Sequence, residues 1–233
     1  MAKEKTFVEV TKNWRVLMAT DIVVFAFMDG KLQLLLVRRK FEPGVGKWAL
    51  PGGFVREDEN LEESALRELH EETGLKQSAY LEQLYTFGDV DRDPRGRVIS
   101  VAYIHLVNHP EKIKLSASDD AAEAKWFDVN KLPELSFGKS HEEIIQYAWQ
   151  RLKWKFEYSN VALTMLPDTF SLSDVQKVYE AVYHKKIDKR NFRKKILSLD
   201  LVDPVDEVKQ ELGRPAQLYK ASTKKLKIFT RVV

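Results

Sequence analysis

Cysteine is absent from all 233 residues. That excludes disulfides and thiolate metal ligation, and it fits an intracellular, cytoplasmic chain. No apolar stretch approaches the roughly 20 residues that a bilayer-spanning helix requires, so no membrane partner is expected. The first residues, MAKEKTFVEVTKNW, are charged and lack an apolar centre, so no secretory leader is expected. Glycine is sparse at 10 residues, and no Gly/Ser-rich linker, low-complexity tract or internal repeat breaks the chain. Neither sign of charge dominates, since 38 Lys+Arg face 35 Asp+Glu for a net +3.

What is present suits a folded protein. Hydrophobic residues make up 44% and charged residues 31%, enough to fill a core and cover it. The length exceeds one average domain and suggests one to two. The near-neutral total hides an asymmetry. From Glu157 to Val233 there are 15 Lys+Arg against 10 Asp+Glu, while the rest of the chain holds 23 against 25. A basic C-terminal third points to a polyanionic partner for that part only.

In the first part, Ala19 to Phe27 is a β-rich run, and Asp29-Gly30 predicts a tight hairpin turn into a second strand, Lys31 to Arg39. Tyr80 to Asp89, Val98 to Val107 and a short Ala124 to Phe127 read as further strands. Between the hairpin and Tyr80 lies the most informative segment, GFVREDENLEESALRELHEETGL, Gly53 to Leu75. Asn60 is placed to cap a helix with Glu63 as its capping-box partner, and Gly74 sits where a C-cap glycine belongs. Within that helix Glu68, Glu71 and Glu72 stand at i, i+3 and i+4, on one face. The plain alternative is a solvated acidic helix with Arg67 making surface pairs. Three crowded carboxylates are instead the ligand type that a hard divalent cation takes, and Pro51-Gly52-Gly53 supplies a turn whose backbone approaches a ligand closely.

Gly53, five residues, Glu59, seven residues, then Arg-Glu-Leu-x-Glu-Glu-x-Gly-Leu from Arg67 to Leu75 matches without departure the signature of the Nudix hydrolases. That resemblance implies an α/β/α sandwich with a mixed sheet. It also implies Mg²⁺ or Mn²⁺ held against a nucleoside diphosphate linked to another group. Glu68, Glu71 and Glu72 match the metal-ligating carboxylates, with the Gly53 carbonyl as a further candidate, and Arg67 and Glu59 match positions that orient the helix. The catalytic set implied is Glu72, Glu71, Glu68 and Arg67. Asp119, Asp120 and Glu123 are candidates for a base outside this segment. Arg38, Arg39 and Arg97 are candidate phosphate clamps because a guanidinium fork matches phosphate geometry, although Arg38 and Arg39 read equally as a strand end facing water. Trp48 is a candidate base-stacking residue, with core cover as the plainer reading, and His70 reads as helix surface.

His141 to Tyr158 predicts a helix with Ile144, Ile145, Ala148, Leu152 and Phe156 near one face. It closes the first domain, taken as 1–156, or bridges to the second, taken as 157–233. In the second, Phe170-Ser171-Leu172-Ser173 supplies a capping serine for a helix over Asp174 to His184, and a short turn leads to a basic helix, Asp188 to Leu199. A polar strand-and-loop stretch, Val202 to Leu212, and then Ala216 to Lys220 complete the order of a winged helix-turn-helix. Lys189, Arg190, Asn191, Arg193, Lys194 and Lys195 on the second helix, with Arg214 in the wing, are the candidate DNA-binding residues. The words DKRNFRKKI, GRPAQLY, FEPGVGKWALPGGF and DRDPRGRVISVAY resemble the Nudix-related transcriptional regulators over nearly the whole chain. In those bacterial proteins a Nudix domain senses a metabolite and a winged helix binds operator DNA. Many of them bind ADP-ribose or a sugar such as arabinose without hydrolysing it, through an eroded Nudix box, whereas this box is intact.

The expectation is therefore a regulator, a homodimer as helix-turn-helix proteins commonly are. It would bind duplex DNA and a nucleotide-type ligand such as ADP-ribose, hydrolysing the latter with Mg²⁺ or Mn²⁺ if the box works. One alternative is an ADP-ribose pyrophosphatase without a regulatory role, its C-terminal domain serving dimerisation. Another is a sugar sensor in which the box is a relic.

Overall fold

The computed structural model describes residues 16–76, 79–116, 121–209 and 215–229. The first half is a mixed sheet built on β1 (Leu17–Met28), whose core positions from Ala19 to Ala26 are all buried. Asp29 at φ 51° and Gly30 at φ 74° turn it into β2 (Lys31–Arg39), as the Asp-Gly pair predicts. Next come β3 (Trp48–Ala49) and β4 (Gly52–Phe54), then α1 (Leu61–Thr73), β5 (Tyr80–Phe87), β6 (Val98–Val107), β7 (Ala121–Asp128) and α2 (Lys139–Tyr158). The path through the sheet is β3-β2-β1-β6-β5, with β4 also on β1 and β7 also on β2. β1 and β6 run parallel, Asp21 opposite Ala102, and all other pairs are antiparallel. The run expected at Ala124 to Phe127 is longer, because β2 offers pairing partners out to Gln33 and Arg39.

A helix covers each face of this sheet. Ala65 and Leu69 of α1 pack with Ile22, Val24, Leu35 and Val101. Ile144, Ile145, Ala148, Leu152 and Phe156 of α2 pack on the other face with Val23, Phe25, Leu34 and Ile104, as their spacing predicts. Glu82 of β5 holds α2 from the side through Arg151 at 2.9 Å and Lys155 at 2.6 Å.

The second half begins with a 3₁₀ turn at Asn160–Met165 and continues through β8 (Phe170–Ser171), α3 (Leu172–Tyr183), α4 (Lys189–Ser198), β9 (Val202–Lys209) and β10 (Ala216–Ala221). Ser171 and Asp174 form a reciprocal capping box, so α3 starts at Leu172 rather than at Asp174. Asp188 caps α4 by accepting from the Asn191 N–H. The strands form an antiparallel sheet in the order β8-β10-β9 beside the two helices, which makes a winged helix-turn-helix. Val175, Val178, Tyr179 and Val182 of α3 belong to the same apolar cluster as α2 and the sheet. Trp149 Nε1 donates to the Val182 carbonyl at 3.0 Å, Tyr183 Oη to Lys153 O at 2.8 Å and Tyr179 Oη to Phe156 O at 3.2 Å.

Candidate functional site

The site is built where the turn between β3 and β4 meets the last turns of α1. Asn60 accepts from the Glu62 and Glu63 N–H groups while Glu63 accepts from the Asn60 N–H, which fixes the start of α1. Gly74, at φ 75°, ends it with a left-handed cap. Between those ends the acids and Arg67 point at the glycine turn. Glu72, nearly buried, accepts from the Gly52 N–H at 2.9 Å. Gly52 sits at φ 150°, and a Cβ there would meet the Thr20 carbonyl oxygen at 2.1 Å. Glu68 lies so close to Gly53 that a Cβ on that residue would fall 2.3 Å from Oε1. Only glycine fits either position without displacement.

Arg67 organises the acids. Its Nε and Nη2 donate to the two oxygens of Glu59 at 2.7 and 2.6 Å, its Nη1 to Glu68 at 2.6 Å and Glu71 at 3.1 Å, and its Nη2 to the Phe54 carbonyl at 3.3 Å. The Arg67 hydrogen bond holds the Glu59 carboxyl down at about 2. Burial pushes the Glu68 carboxyl above the usual range, with Arg67 pulling against it and Glu71 adding to the rise. Glu71 also faces Arg56 at 3.5 Å. His70 is exposed, as expected.

Among the described residues no three His, Asp or Glu side chains converge closely enough to cage a metal ion. The cradle nonetheless fits a hard divalent cation by its chemistry. Its donors are carboxylate oxygens, and Gly53 leaves open the space beside Glu68 that a Cβ would fill.

Four residues beneath the turn, Asp21, Arg92, Ser100 and His141, escaped sequence reasoning. Asp21, the one charged residue of β1, is buried and accepts from Ser100 Oγ at 2.5 Å and Arg92 Nη2 at 3.0 Å. Its other oxygen faces His141 Nε2 at 3.5 Å. Burial alone would raise its pKa, but His141, Arg92 and Ser100 outweigh burial and hold it well below the usual carboxylate range. His141 in turn accepts the Leu50 N–H on Nδ1 at 3.1 Å. The signal available in the sequence was a lone acid inside an apolar strand, which requires a buried cationic partner.

The other candidates are dispersed. Arg38 faces Glu123 across β2 and β7 at 3.6 Å. Arg39 donates from Nε to the Pro43 carbonyl at 2.8 Å and lies over the Phe137 ring. Arg97 donates to the carbonyls of Gly88 at 2.6 Å and Asp89 at 3.1 Å, so its fork braces its own loop. Arg95 stacks on both Phe54 and Phe137, at 4.6 and 5.4 Å from their centroids, a position no motif singled out. Trp48 is half-buried edge-on against Phe127. Asp119, Asp120 and Arg214 lie outside the described residues.

On α4, Phe192 and Ile196 face the core, and Lys189, Arg190, Asn191 and Lys194 are exposed. Arg193 and Lys195 are half-buried, and Arg193 Nη2 donates to Ser173 Oγ at 3.0 Å. Arg193 thus pins α4 to the start of α3 rather than standing free with its neighbours.

Residues 18–148 match the NUDIX domain family, and residues 162–221 match the NrtR DNA-binding winged helix domain. A relative in Acinetobacter baylyi, the ADPR responsive transcriptional repressor NtrR, is 34% identical over 206 residues, 88% of this chain and 81% of that one. The ADP-ribose pyrophosphatase of Methanocaldococcus jannaschii is 41% identical over 144 residues, 62% of this chain and 80% of its own. The crystal structure of Shewanella oneidensis NrtR complexed with a 27mer DNA superposes with a TM-score of 0.79 at 34% identity, covering 93% of this chain and 99% of that one. The NUDIX domain of the same protein complexed with ADP ribose superposes with a TM-score of 0.53 at 34% identity, over 64% of this chain and 99% of that one. This chain belongs to the NUDIX family and carries, behind its NUDIX domain, a winged helix of the NrtR DNA-binding type.

Proposed function

We propose that this protein is a cytoplasmic, homodimeric transcriptional regulator. Its NUDIX domain binds ADP-ribose or a related nucleoside diphosphate derivative, and its winged helix binds operator DNA. The observation that carries this reading is the joining, in one chain and along 93% of its length, of both parts of a protein solved on DNA. The ADPR responsive repressor and the ADP-ribose complex of a NUDIX domain support the ligand class. The exposed Lys189, Arg190, Asn191 and Lys194 are the groups placed to meet phosphate and base edges, with Lys195 beside them and Arg193 bracing the helix.

Hydrolysis is the second reading, favoured by the unbroken set Gly53, Glu59, Arg67, Glu68, Glu71 and Glu72 and by the likeness to an ADP-ribose pyrophosphatase. Glu68, Glu71 and Glu72, with the Gly53 carbonyl, would hold Mg²⁺ or Mn²⁺. A bound cation of this kind neutralises charge on pyrophosphate oxygens and acidifies a bound water. Of these carboxylates, Glu72, oriented by the Gly52 N–H, and Glu71 would be the candidates to take up a proton. Arg39 lies over Phe137 with Nε on the Pro43 carbonyl, and Arg95 lies over Phe54 and Phe137 with its fork on Asp93 at 2.7 Å. Either would have to leave its partner to meet phosphate.

Two measurements decide between these readings. Fluorescence anisotropy on duplex DNA selected in vitro by the protein should show binding that weakens with salt and changes on adding ADP-ribose. An unchanged DNA affinity at saturating ADP-ribose overturns the sensor reading. AMP release from ADP-ribose with Mg²⁺, present in the wild type and lost in Glu72→Gln, establishes the hydrolase. No AMP from either leaves binding alone.

A further inference from the structure

We infer that His141 is the joint through which occupancy of the NUDIX site reaches the winged helix. The inference rests on the sensor reading. His141 is 3% exposed and sits in the first turn of α2. Because its Nδ1 accepts the Leu50 N–H, the ring proton resides on Nε2, which faces Asp21 at 3.5 Å. Asp21 pairs through its backbone with Gly52, whose N–H holds Glu72, and Ile22 N donates to the Pro51 carbonyl at 2.8 Å. The turn at 50–52 is therefore gripped by β1, α1 and α2 together, and His141 is the grip that α2 supplies. Phe137, just before α2, lies tilted against the His141 ring with centroids 4.7 Å apart and sits under Arg39 and Arg95. The start of α2 is thus tied to the turn through His141 and to Arg39 and Arg95 through Phe137.

The same helix carries the second half of the protein. Twenty residues make a rod of about 30 Å. Trp149, Lys153 and Phe156, further along it, are hydrogen-bonded to Val182, Tyr183 and Tyr179 of α3. Any shift of the turn on binding acts at one end of this rod, and the far end bears the helix against which α4 packs. His141 is a positioning residue in this scheme and touches no ligand itself.

The test compares His141→Leu, which removes both contacts, with His141→Asn, which keeps an acceptor close to the Nδ1 position. Three quantities are read on the full chain: DNA affinity alone, ADP-ribose affinity by calorimetry, and the change ADP-ribose causes in DNA affinity. The Leu variant should bind DNA and ADP-ribose within about threefold of wild type, while the effect of one on the other falls about tenfold. The Asn variant should restore at least half of it. A response equal to wild type in the Leu variant overturns the inference, as does an equal loss of ADP-ribose affinity in both variants. Should the Leu variant fail to fold, Trp149→Phe with Tyr183→Phe cuts the far end of the same rod. That pair should lose the response while keeping ADP-ribose affinity, and a full response there overturns the inference. Failure of the sensor reading itself shows separately, as a wild type whose DNA affinity ignores ADP-ribose, and it removes the coupling with it.

Discussion

Arg67 grips Glu59 with two parallel hydrogen bonds, Nε on Oε2 at 2.7 Å and Nη2 on Oε1 at 2.6 Å. The remaining edge of the same guanidinium reaches Glu68 and Glu71. One planar fork thus sets the spacing of three acids, which a flexible ammonium cannot do. Arg67→Lys should keep the charge but release the fork. A stability loss of about 1–3 kcal/mol in denaturant melts is expected. ADP-ribose affinity in the presence of Mg²⁺ should fall at least about tenfold by calorimetry.

Gly53→Ala tests the cradle directly. The new Cβ would fall 2.3 Å from Glu68 Oε1, so the carboxylate must swing away. Glu68 is the flexible partner, so the fold should survive with a melting temperature close to wild type. Mg²⁺-dependent AMP release, where present, should drop by at least about tenfold. An unimpaired rate would show that Glu68 is not needed where the glycine holds it.

Local signals in the chain were legible, and distant ones were not. Asp29-Gly30, Asn60 with Glu63, and Gly74 each fix backbone geometry within a few residues, and the hairpin and the ends of α1 lie where those residues place them. The Gly53–Leu75 pattern is equally local, because one helix and one turn carry it. Asp21, Arg92 and His141 are far apart in sequence and meet only once the sheet has formed. A fork's direction was also illegible. Arg38 read equally as a phosphate clamp or a water-facing strand end, and Arg97 as a clamp. Nothing in the sequence signalled that Glu123 would face the one and the Gly88 and Asp89 carbonyls the other.

His105 gives the fold an acid-sensitive point. It is fully buried on β6, and among the described residues neither ring nitrogen has a hydrogen-bond partner. Burial pushes its pKa down from 6.5 to about 4. The unfolded chain therefore takes up this proton first, so the neutral ring's contribution is intact above pH 6.5 and is lost as pH falls through the window to 4. The loss from this group by pH 4 is about 3 kcal/mol. His105→Leu should flatten that limb of the stability–pH curve in urea melts. It should also raise stability at pH 7 by about 1–2 kcal/mol, since no unpaired polar ring is then buried.

The basic helix divides into two kinds of residue. Lys189, Arg190 and Lys194 are exposed, and replacing all three by alanine should abolish DNA binding at physiological salt while leaving the melt unchanged. Restoring one at a time should steepen the salt slope by about one unit per phosphate contact. Arg193→Ala should act differently. It removes the bond to Ser173, so it should lower stability by about 1 kcal/mol and weaken DNA binding by misplacing α4.

Apolar side chains run without a gap from Phe25 in the sheet through Phe156 of α2 to Val178 of α3. Two beads on a string melt one after the other, each at its own temperature. Halves that share their filling have no separate melting points, so a scanning calorimeter should record one endotherm for the full chain. Anything that steadies the NUDIX half then protects the winged helix from heat and protease as well. Cutting the chain within α2 would bare apolar faces on both pieces, so each piece should melt below the full chain.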